Sequence, residues 1–346
     1  MFTSGPSIHP PSAEDISKLS TTSMKCNLVI ELIIQLLTIA ISLAVLASAS
    51  HFAIKSIEKL IALTGLSEAS AGFVILAVLT STPEIIVAIF AVLQGASAIS
   101  IGDILGSNIF NVGAVLGILG MLGYLGTCCT DLLTELTDIL FLTSLIPLLL
   151  VIFNYPPLKS FGAASPIIGA ILLGTFVINI YLMAKKRTPI VSTNKSRAIG
   201  KENTKRILAT LILSFTGVIL AARFVVSSGL NIALLLGAPP ILIGAKVVAL
   251  GTSLPELTVD FAAVRRGRVQ LALGDIIGSN LTNLTLVLGI VLLTSPFAVD
   301  MTIFTELLPF LLITTIVFWR FLTRGGVSQV GGIILMMTYI LFQAVI

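Results

Sequence analysis

Long runs of apolar residues alternate with short polar separators along almost the whole chain. A bilayer-spanning helix needs about 20 apolar residues, and ten runs approach or exceed that length. They lie at about 27–54, 69–94, 98–123, 135–153, 164–184, 206–230, 237–264, 270–295, 302–320 and 327–346. The separators are rich in residues that form turns. The pattern therefore predicts an all-α polytopic membrane protein with ten transmembrane helices.

One separator is much more basic than the others. The stretch 185–206 contains eight Lys and Arg residues and leaves five predicted helices on either side. We therefore divide the chain into a polar N-terminal tail at 1–26, a first five-helix unit at 27–184, the basic linker at 185–206 and a second five-helix unit at 207–346. The first apolar run resembles a signal peptide, but it is long for one and carries Glu31 and Gln35, so it is interpreted as a retained helix.

Composition excludes a soluble protein. The 346 residues are 56% hydrophobic and 10% charged, whereas soluble domains carry about 25% charged residues. Fifteen of the 20 basic residues lie in the linker or in loops on its side of the membrane, which makes that side cytoplasmic. We therefore expect a multi-pass protein of the cell membrane with both termini outside. The net charge of +4 reflects this loop pattern, so the expected partner is the lipid bilayer and not nucleic acid.

The sequence contains an internal repeat. Residues 77–119 align without a gap to residues 249–291, at an offset of 172, and 20 of the 43 positions are identical. The identical positions include Thr, Ser, Pro, Glu, Asp and Asn, so shared hydrophobicity does not explain them. An odd number of predicted helices separates the two copies, which gives them opposite orientations. The fold class is therefore two inverted five-helix repeats, an arrangement typical of secondary transporters with a site near the midplane.

Each copy places a glutamate inside an apolar helix, as Thr-Ser-x-Pro-Glu ending at Glu84 and at Glu256. A carboxylate at this depth costs about 2.5–3.5 kcal/mol, and neither copy has a Lys or Arg at matched depth to compensate it. Pro83 and Pro255 lack an N–H, so each frees a backbone carbonyl one turn earlier. A cation from outside the protein is the most economical partner for these groups.

Further oxygen-bearing residues follow each glutamate at helical spacing. Asp, Ser and Asn recur every four residues on the next helix and form one stripe, within Gly-Asp-x-x-Gly-Ser-Asn-x-x-Asn. Oxygen ligands without His or Cys select hard cations such as Ca2+ or Na+. One Ca2+ or two monovalent ions neutralise the two glutamates, which suits exchange. Asp103 and Asp275 either contact the ion or bond the backbone near the turn. Asp260, opposite Ala88 of the other copy, is expected to bond a neighbour toward the cytoplasmic mouth.

The paired motifs resemble the two α-repeats of the cation/Ca2+ exchanger superfamily and are most similar to its Na+/Ca2+ exchanger branch. The resemblance implies transport of Ca2+ and Na+, no catalysis, no cofactor and a functional monomer. It also implies a set of metal ligands made of carbonyl, hydroxyl, carboxylate and amide oxygens. The implied ligands are Ala77, Thr80, Ser81, Glu84, Ser107, Asn111, Ala249, Thr252, Ser253, Glu256, Ser279 and Asn283, with Asp103 and Asp275 as further candidates.

The chain departs from the family pattern at several positions. Leu79 stands where the first motif usually has Gly, and Thr82 where it usually has Leu. Asn111 and Asn283 are both neutral, whereas many relatives carry Asp at one of them. This leaves the stoichiometry and the counter-ion open, so a Ca2+/H+ or other divalent/monovalent cation antiporter is the alternative.

An intramembrane enzyme or a cation channel is a more remote alternative. An intramembrane aspartyl protease would need Gly-x-Gly-Asp, but Ser100 and Ala272 occupy the first position, and His-Glu-x-x-His is absent. A pair of buried carboxylates favours tight, alternating binding over a channel. The inverted repeat also suits transport better than either alternative.

Overall fold

The structure is a computed structural model that describes residues 29–49, 51–52, 55–56, 77–126, 131–154, 164–185, 201–295 and 301–346. Every regular element in these ranges is helical. The predicted tail at 1–26 and linker residues 186–200 lie outside the described residues.

The helices are named α1 to α10 in chain order. They are α1 Val29–Ala49, α2 Thr82–Leu93 with helical residues 77–80 before it, α3 Ser97–Met121, α4 Asp131–Ser144 continued by Ile146–Asn154, α5 Ala164–Lys185, α6 Lys201–Leu236, α7 Pro240–Arg265, α8 Val269–Thr294, α9 Met301–Leu322 and α10 Gln329–Val345. Seven helices of the described part are long and apolar enough to cross a membrane, and α2, α5 and α10 contain shorter apolar helices. The all-helical membrane class is confirmed, while the division into ten spans and two repeats remains a prediction.

Helices α3 and α8 form the centre of the molecule. In their most apolar stretches 89% and 83% of the residues are buried, compared with 17% in α1 and 35% in α6. The outer helices turn large apolar side chains outward, as with Leu213 and Leu234 of α6, which are 75% and 79% exposed. Such apolar exposure suits lipid and not water. The centre of the fold therefore lies on the helices that carry the second part of each motif.

The two motif helices are broken at equivalent positions. The helix ending at residue 80 stops at Ser81 and restarts at Thr82, and α7 turns at Ser253 before it restarts at Leu254. A proline lies in the first turn of each restarted segment, where its missing N–H does no harm. The Ser81 and Ser253 N–H groups donate to the carbonyls of residues 77 and 249, at 3.1 and 3.2 Å.

The turns that join α2 to α3 and α7 to α8 are also equivalent. Gly95 and Gly267 adopt φ values of +67° and +76°, which a residue with a side chain rarely adopts. The N–H after each glycine donates to a carbonyl five residues earlier, at 2.7 Å to Ala91 and 3.0 Å to Ala263. This is the Schellman closure of a helix. Both hairpin turns therefore contain the same Schellman motif with a left-handed glycine.

Within the described residues, three segments widen into π-helix. They are Phe110–Val115 in α3, Gly244–Val248 in α7 and Asn283–Val287 in α8. The segments in α3 and α8 fall at matching positions of the two motif copies, and Asn111 and Asn283 accept the wide-turn hydrogen bonds. Single π-turns inside α-helices occur frequently at functional sites.

Glycines allow the central helices to approach backbone to backbone. A methyl group added to Gly102 of α3 would collide with the Ile241 carbonyl of α7. The same addition to Gly332 of α10 would lie 2.7 Å from the Gly117 carbonyl of α3. At Gly169 of α5 it would lie 2.9 Å from a carbonyl oxygen of α8. Helix α3 thus packs against the last helix of the second unit, and α8 against the last helix of the first.

Candidate functional site

The two motif glutamates are fully buried, directly after the breaks in their helices. The Ser253 hydroxyl donates to Glu84 Oε1 at 3.2 Å, and the Ser279 hydroxyl donates to Glu256 Oε1, also at 3.2 Å. Within the described ranges the second carboxyl oxygen of each glutamate has no hydrogen-bond partner. Each glutamate is therefore held by one oxygen and keeps the other for a further contact.

Two threonine–aspartate hydrogen bonds join the two copies. Thr80 Oγ1 donates to Asp275 Oδ1 at 3.0 Å, and Thr252 Oγ1 donates to Asp103 Oδ1 at 2.9 Å. Each bond runs from the broken helix of one copy to the central helix of the other. All four side chains are fully buried. The aspartates therefore hold the hydroxyls of the other repeat and do not cap their own helices.

The remaining hydroxyl and amide groups also meet across the copies. The Ser81 and Ser279 hydroxyl oxygens lie 2.9 Å apart, and Asn283 Nδ2 donates to Ser107 Oγ at 3.2 Å. Asn111 Nδ2 donates instead to Asn280 Oδ1 at 3.0 Å. The pairing of the two motif asparagines is thus asymmetric, although their positions match.

The structure brings the predicted residues into one buried centre. The Ala77 and Ala249 carbonyls accept the hydroxyls of Thr80 and Thr252, both at 3.3 Å, in addition to their helical bonds. The residues that carry the predicted ligands are all at most 2% exposed. They are Ala77, Thr80, Ser81, Glu84, Asp103, Ser107, Asn111, Ala249, Thr252, Ser253, Glu256, Asp275, Ser279 and Asn283.

Three further buried polar residues on the same helices are not among the predicted ligands. Asp260 is fully buried, and its carboxyl group meets that of Asp275. Asp275 is thus the neighbour that Asp260 contacts, and the full burial of Asp260 differs from the position at an exposed mouth that the sequence had suggested. Asn108 and Asn280 are 1% exposed. They occupy equivalent positions in the two copies, and this match in the sequence was the signal that could have pointed to them.

The electrostatic neighbours of these acids are mainly one another. Glu84 interacts with Asp275 and Asp103, and Glu256 interacts with Glu84, Asp275 and Asp260. Buried like charges repel strongly because little water screens them. No three acidic, His or Cys side chains of the described part converge on one metal position. A cation here would therefore need hydroxyl, amide and carbonyl oxygens as well as carboxylates.

The fold and the site together define a multi-pass helical membrane protein with a buried, oxygen-lined centre shared by two copies of one motif. The model of the family described as sodium/calcium exchanger protein matches residues 34–185 and 206–346. The match covers most of the chain, so the chain belongs to this family.

Named relatives and solved structures agree with the family. The sodium/calcium exchanger MaX1 of Methanosarcina acetivorans is 28% identical, over 90% of this chain and 98% of its own length. The putative antiporter CaxA of Alkalimonas amylolytica is 29% identical, over 79% of this chain and 86% of its own length. The structure of the sodium-calcium exchanger NCX_Mj superposes with a TM-score of 0.64 at 26% identity, and covers 91% of this chain and 99% of that one. The descriptions of all three relatives are of exchangers or antiporters, which is a class of transporter.

Proposed function

We propose that the chain is a secondary active antiporter that exchanges Ca2+ for Na+ by alternating access. The observation that carries the proposal is the pair of buried glutamates, each with one carboxyl oxygen unpartnered within the described residues. Carboxylates in a membrane interior need a counter-charge, and the surrounding oxygens suit a hard cation. Membership of the sodium/calcium exchanger family and the likeness to MaX1 and NCX_Mj support the choice of ions.

The proposed site combines both copies. Glu84 and Glu256 supply the charge, and the hydroxyls, amides and carbonyls complete the six to eight oxygens that Ca2+ takes. The other ligands are Ala77, Thr80, Ser81, Ser107, Asn111, Ala249, Thr252, Ser253, Ser279 and Asn283. Two central negative charges are balanced by one Ca2+ or by two Na+, so the ions would occupy the same centre in turn.

We extend the proposal to architecture and orientation. The chain would form two inverted five-helix repeats, with both termini outside and the 185–206 linker in the cytoplasm. The matched hairpin turns, π-segments and helix breaks support the repeat, and the glycine contacts of α3 with α10 and of α8 with α5 support its symmetry. The protein would work as a monomer in the bilayer.

The alternative counter-ion is H+. Its support is the neutrality of both Asn111 and Asn283, which leaves Glu84 and Glu256 as the fixed charges of the proposed ligand set, together with the depth of these two acids. Buried carboxylates accept protons when no cation compensates them. In this reading the glutamates would protonate on the return step, and Na+ would not drive Ca2+ movement.

A gradient experiment decides between the two counter-ions. Purified protein in liposomes is loaded with Na+ and diluted into Na+-free buffer with radiolabelled Ca2+, and a parallel sample carries a pH gradient instead. We expect the outward Na+ gradient to drive uptake. Uptake driven by the pH gradient alone would overturn Na+ coupling, and uptake with neither gradient would indicate a channel.

The same assay tests the glutamates. Glu84→Gln and Glu256→Gln each remove one buried charge at nearly constant volume, and we expect Ca2+ uptake to fall by at least about 30-fold, since loss of one partner of a buried charge pair costs at least about 2 kcal/mol. Glu306→Gln, on an exposed position of α9, is the control and should transport normally. Normal flux in both glutamate variants would reject the site.

A further inference from the structure

Helix α7 carries a lysine within its apolar length. Lys246 precedes Glu256 by ten residues and is part-buried, and its Nζ donates to the main-chain carbonyl of Gln343 in α10 at 3.0 Å. An ionisable side chain inside a membrane helix is costly and is usually retained for function. The lysine thus links α7 to α10 through a hydrogen bond.

Gln343 offers an acceptor that suits a cation. Helix α10 ends at Val345, so the Gln343 carbonyl is one of the last four, which have no N–H donor within the helix. The negative end of the helix dipole also lies here and favours a positive charge. The bond from Lys246 is therefore charge-assisted and stronger than a bond between neutral groups. Because the acceptor is a main-chain atom, a substitution can remove the bond only from the lysine side.

The α10 end of this bond is fixed against α3. The Gln343 side-chain amide donates to the Tyr339 hydroxyl, one turn earlier, at 2.9 Å. The centroid of the Tyr339 ring lies 5.5 Å from that of the Phe110 ring, and a methyl group added to Gly113 would lie 2.9 Å from Tyr339 Cβ. Phe110 and Gly113 belong to the π-segment of α3. Helix α10 is therefore a docked support for the lysine.

The α7 end of the bond lies inside a π-segment. Lys246 is within Gly244–Val248, and the wide turn closes where the Ala249 N–H donates to the Gly244 carbonyl. A π-turn holds one residue more than an α-turn, so its loss would rotate the flanking helix by about 100°. The Ala249 carbonyl is a proposed ligand and accepts the Thr252 hydroxyl at 3.3 Å. The direction of this carbonyl therefore depends on the wide turn.

We propose that Lys246 is a positioning residue for the Ca2+ site. By binding the π-segment of α7 to α10, it holds the wide turn that directs the Ala249 carbonyl toward the ion. The proposal rests on the proposed exchange of Ca2+ for Na+, because it concerns a ligand of that site. The equivalent position of the first copy is Val74, whose side chain has no hydrogen-bond donor. The device therefore belongs to the second copy alone.

The first test separates affinity from rate. Lys246→Met keeps the side-chain length and removes the charge and the donors, whereas Lys246→Arg keeps both. Na+-driven uptake of radiolabelled Ca2+ into liposomes is measured over a range of Ca2+ concentrations. We expect Lys246→Met to raise the KM for Ca2+ about tenfold, the lower end of the cost of losing an outer-shell partner, and to keep the maximal rate within about threefold. Lys246→Arg should keep the KM of the wild type. So should the control Arg223→Met, which removes a basic charge from an exposed position of α6.

Hydrogen exchange in purified protein reports on the wide turn itself. The amides of residues 244–249 should exchange faster in Lys246→Met than in the wild type, because local opening costs less without the bond. The amides of α8 should exchange as in the wild type. Lys246→Gln, which is shorter and uncharged, should show the same pattern and replaces the methionine variant if that protein is not monodisperse.

Three results would overturn the proposal. The first is an unchanged KM in Lys246→Met, and the second is unchanged exchange at residues 244–249. The third is an equal rise of KM in Lys246→Arg, which would mean that the charged hydrogen bond is not what positions the carbonyl. A wild-type protein without Na+-driven uptake would reject the proposed exchange of Ca2+ for Na+, and hydrogen exchange and Ca2+ binding would still report on Lys246.

Discussion

A hydroxyl oxygen coordinates a cation only when its own hydrogen points elsewhere. Thr252 donates its hydrogen to Asp103 at 2.9 Å, and Thr80 donates to Asp275 at 3.0 Å. The lone pairs of both threonines are thereby left for an ion in the centre. Groups that orient metal ligands in this way often matter nearly as much as the ligands. The two aspartates are thus positioning residues for the proposed Ca2+ site.

Removing the acceptor should weaken Ca2+ binding through the threonine. We expect Asp103→Leu to lower Ca2+ affinity by about 10- to 100-fold, the usual cost of losing an outer-shell partner, because only the longer bond to the Ala249 carbonyl, at 3.3 Å, then holds the Thr252 hydrogen away from the ion. Asp103→Asn keeps an acceptor oxygen and should retain more affinity. The measurement is equilibrium binding of radiolabelled Ca2+ to purified protein.

A double-mutant cycle separates positioning from general damage. If Asp103 acts through Thr252, Asp103→Leu should cost little more once Thr252→Val has removed the hydroxyl, because the two residues share one interaction. The pair formed by Thr80 and Asp275 repeats the cycle in the other copy. Additive effects in both cycles would contradict the positioning role and indicate separate contributions of charge or packing.

The sequence predicted the chemistry of these residues better than their pairing. Glu84 and Glu256 could be predicted because a carboxylate inside an apolar helix is energetically costly, and because the same glutamate occurs at the matching position of both copies. Spacing along a helix also placed Asp103 and Asp275 on the ligand stripe. It could not show that each aspartate meets a threonine of the other copy, because contacts between distant helices do not follow from local periodicity. The full burial of Asp260 could not be predicted, because the equivalent position of the first copy is Ala88 and gives no second signal.

At the scale of helices, the approach of α3 to α7 depends on a missing side chain. A methyl group at Gly102 would collide with the Ile241 carbonyl and lie 2.9 Å from the Ala245 nitrogen. Backbone atoms cannot move aside as a flexible side chain can. We expect Gly102→Ala to lower the free energy of unfolding by about 1–3 kcal/mol, the typical cost of overpacking, which thermal unfolding in detergent would measure.

Gly174 provides a matched control in another helix. It lies within α5, and an added methyl group would meet nothing within 4 Å. Gly174→Ala should therefore be neutral or slightly stabilising, because alanine has the higher helix propensity. Equal destabilisation by the two substitutions would mean that flexibility, and not the α3–α7 contact, explains the loss.

The sequence predicted the ends of helices where a single local residue, such as proline, determines them. The prolines predicted a disturbance next to each glutamate, and the separators between apolar runs predicted the turns. The π-segments were not predictable, because a single widened turn leaves the hydropathy pattern unchanged. The packing of α3 against α10 was also not predictable from the sequence. Apolar periodicity shows which helices are buried but not which helix packs against which.

At the scale of the whole molecule, the two hairpin turns provide a test of the proposed inverted arrangement. Gln94 and Arg266 occupy equivalent positions at an offset of 172, and both are exposed. Their turns have the same closure, with a left-handed glycine next in each case. Local structure is thus identical, and only the orientation of the repeats distinguishes them. In parallel repeats both turns would lie on one side of the membrane.

We expect the two turns to face opposite sides, with Gln94 outside and Arg266 in the cytoplasm, because the Arg-rich turn should remain inside. Single cysteines at Gln94→Cys and Arg266→Cys would be introduced after replacing the native cysteines with serine, namely Cys26, Cys128 and Cys129. A membrane-impermeant maleimide added to intact cells should label only the first variant. Permeabilised cells should label both, which verifies that each cysteine is reactive. Labelling of both variants, or of neither, in intact cells would contradict the inversion and with it an alternating-access site shared by opposed repeats.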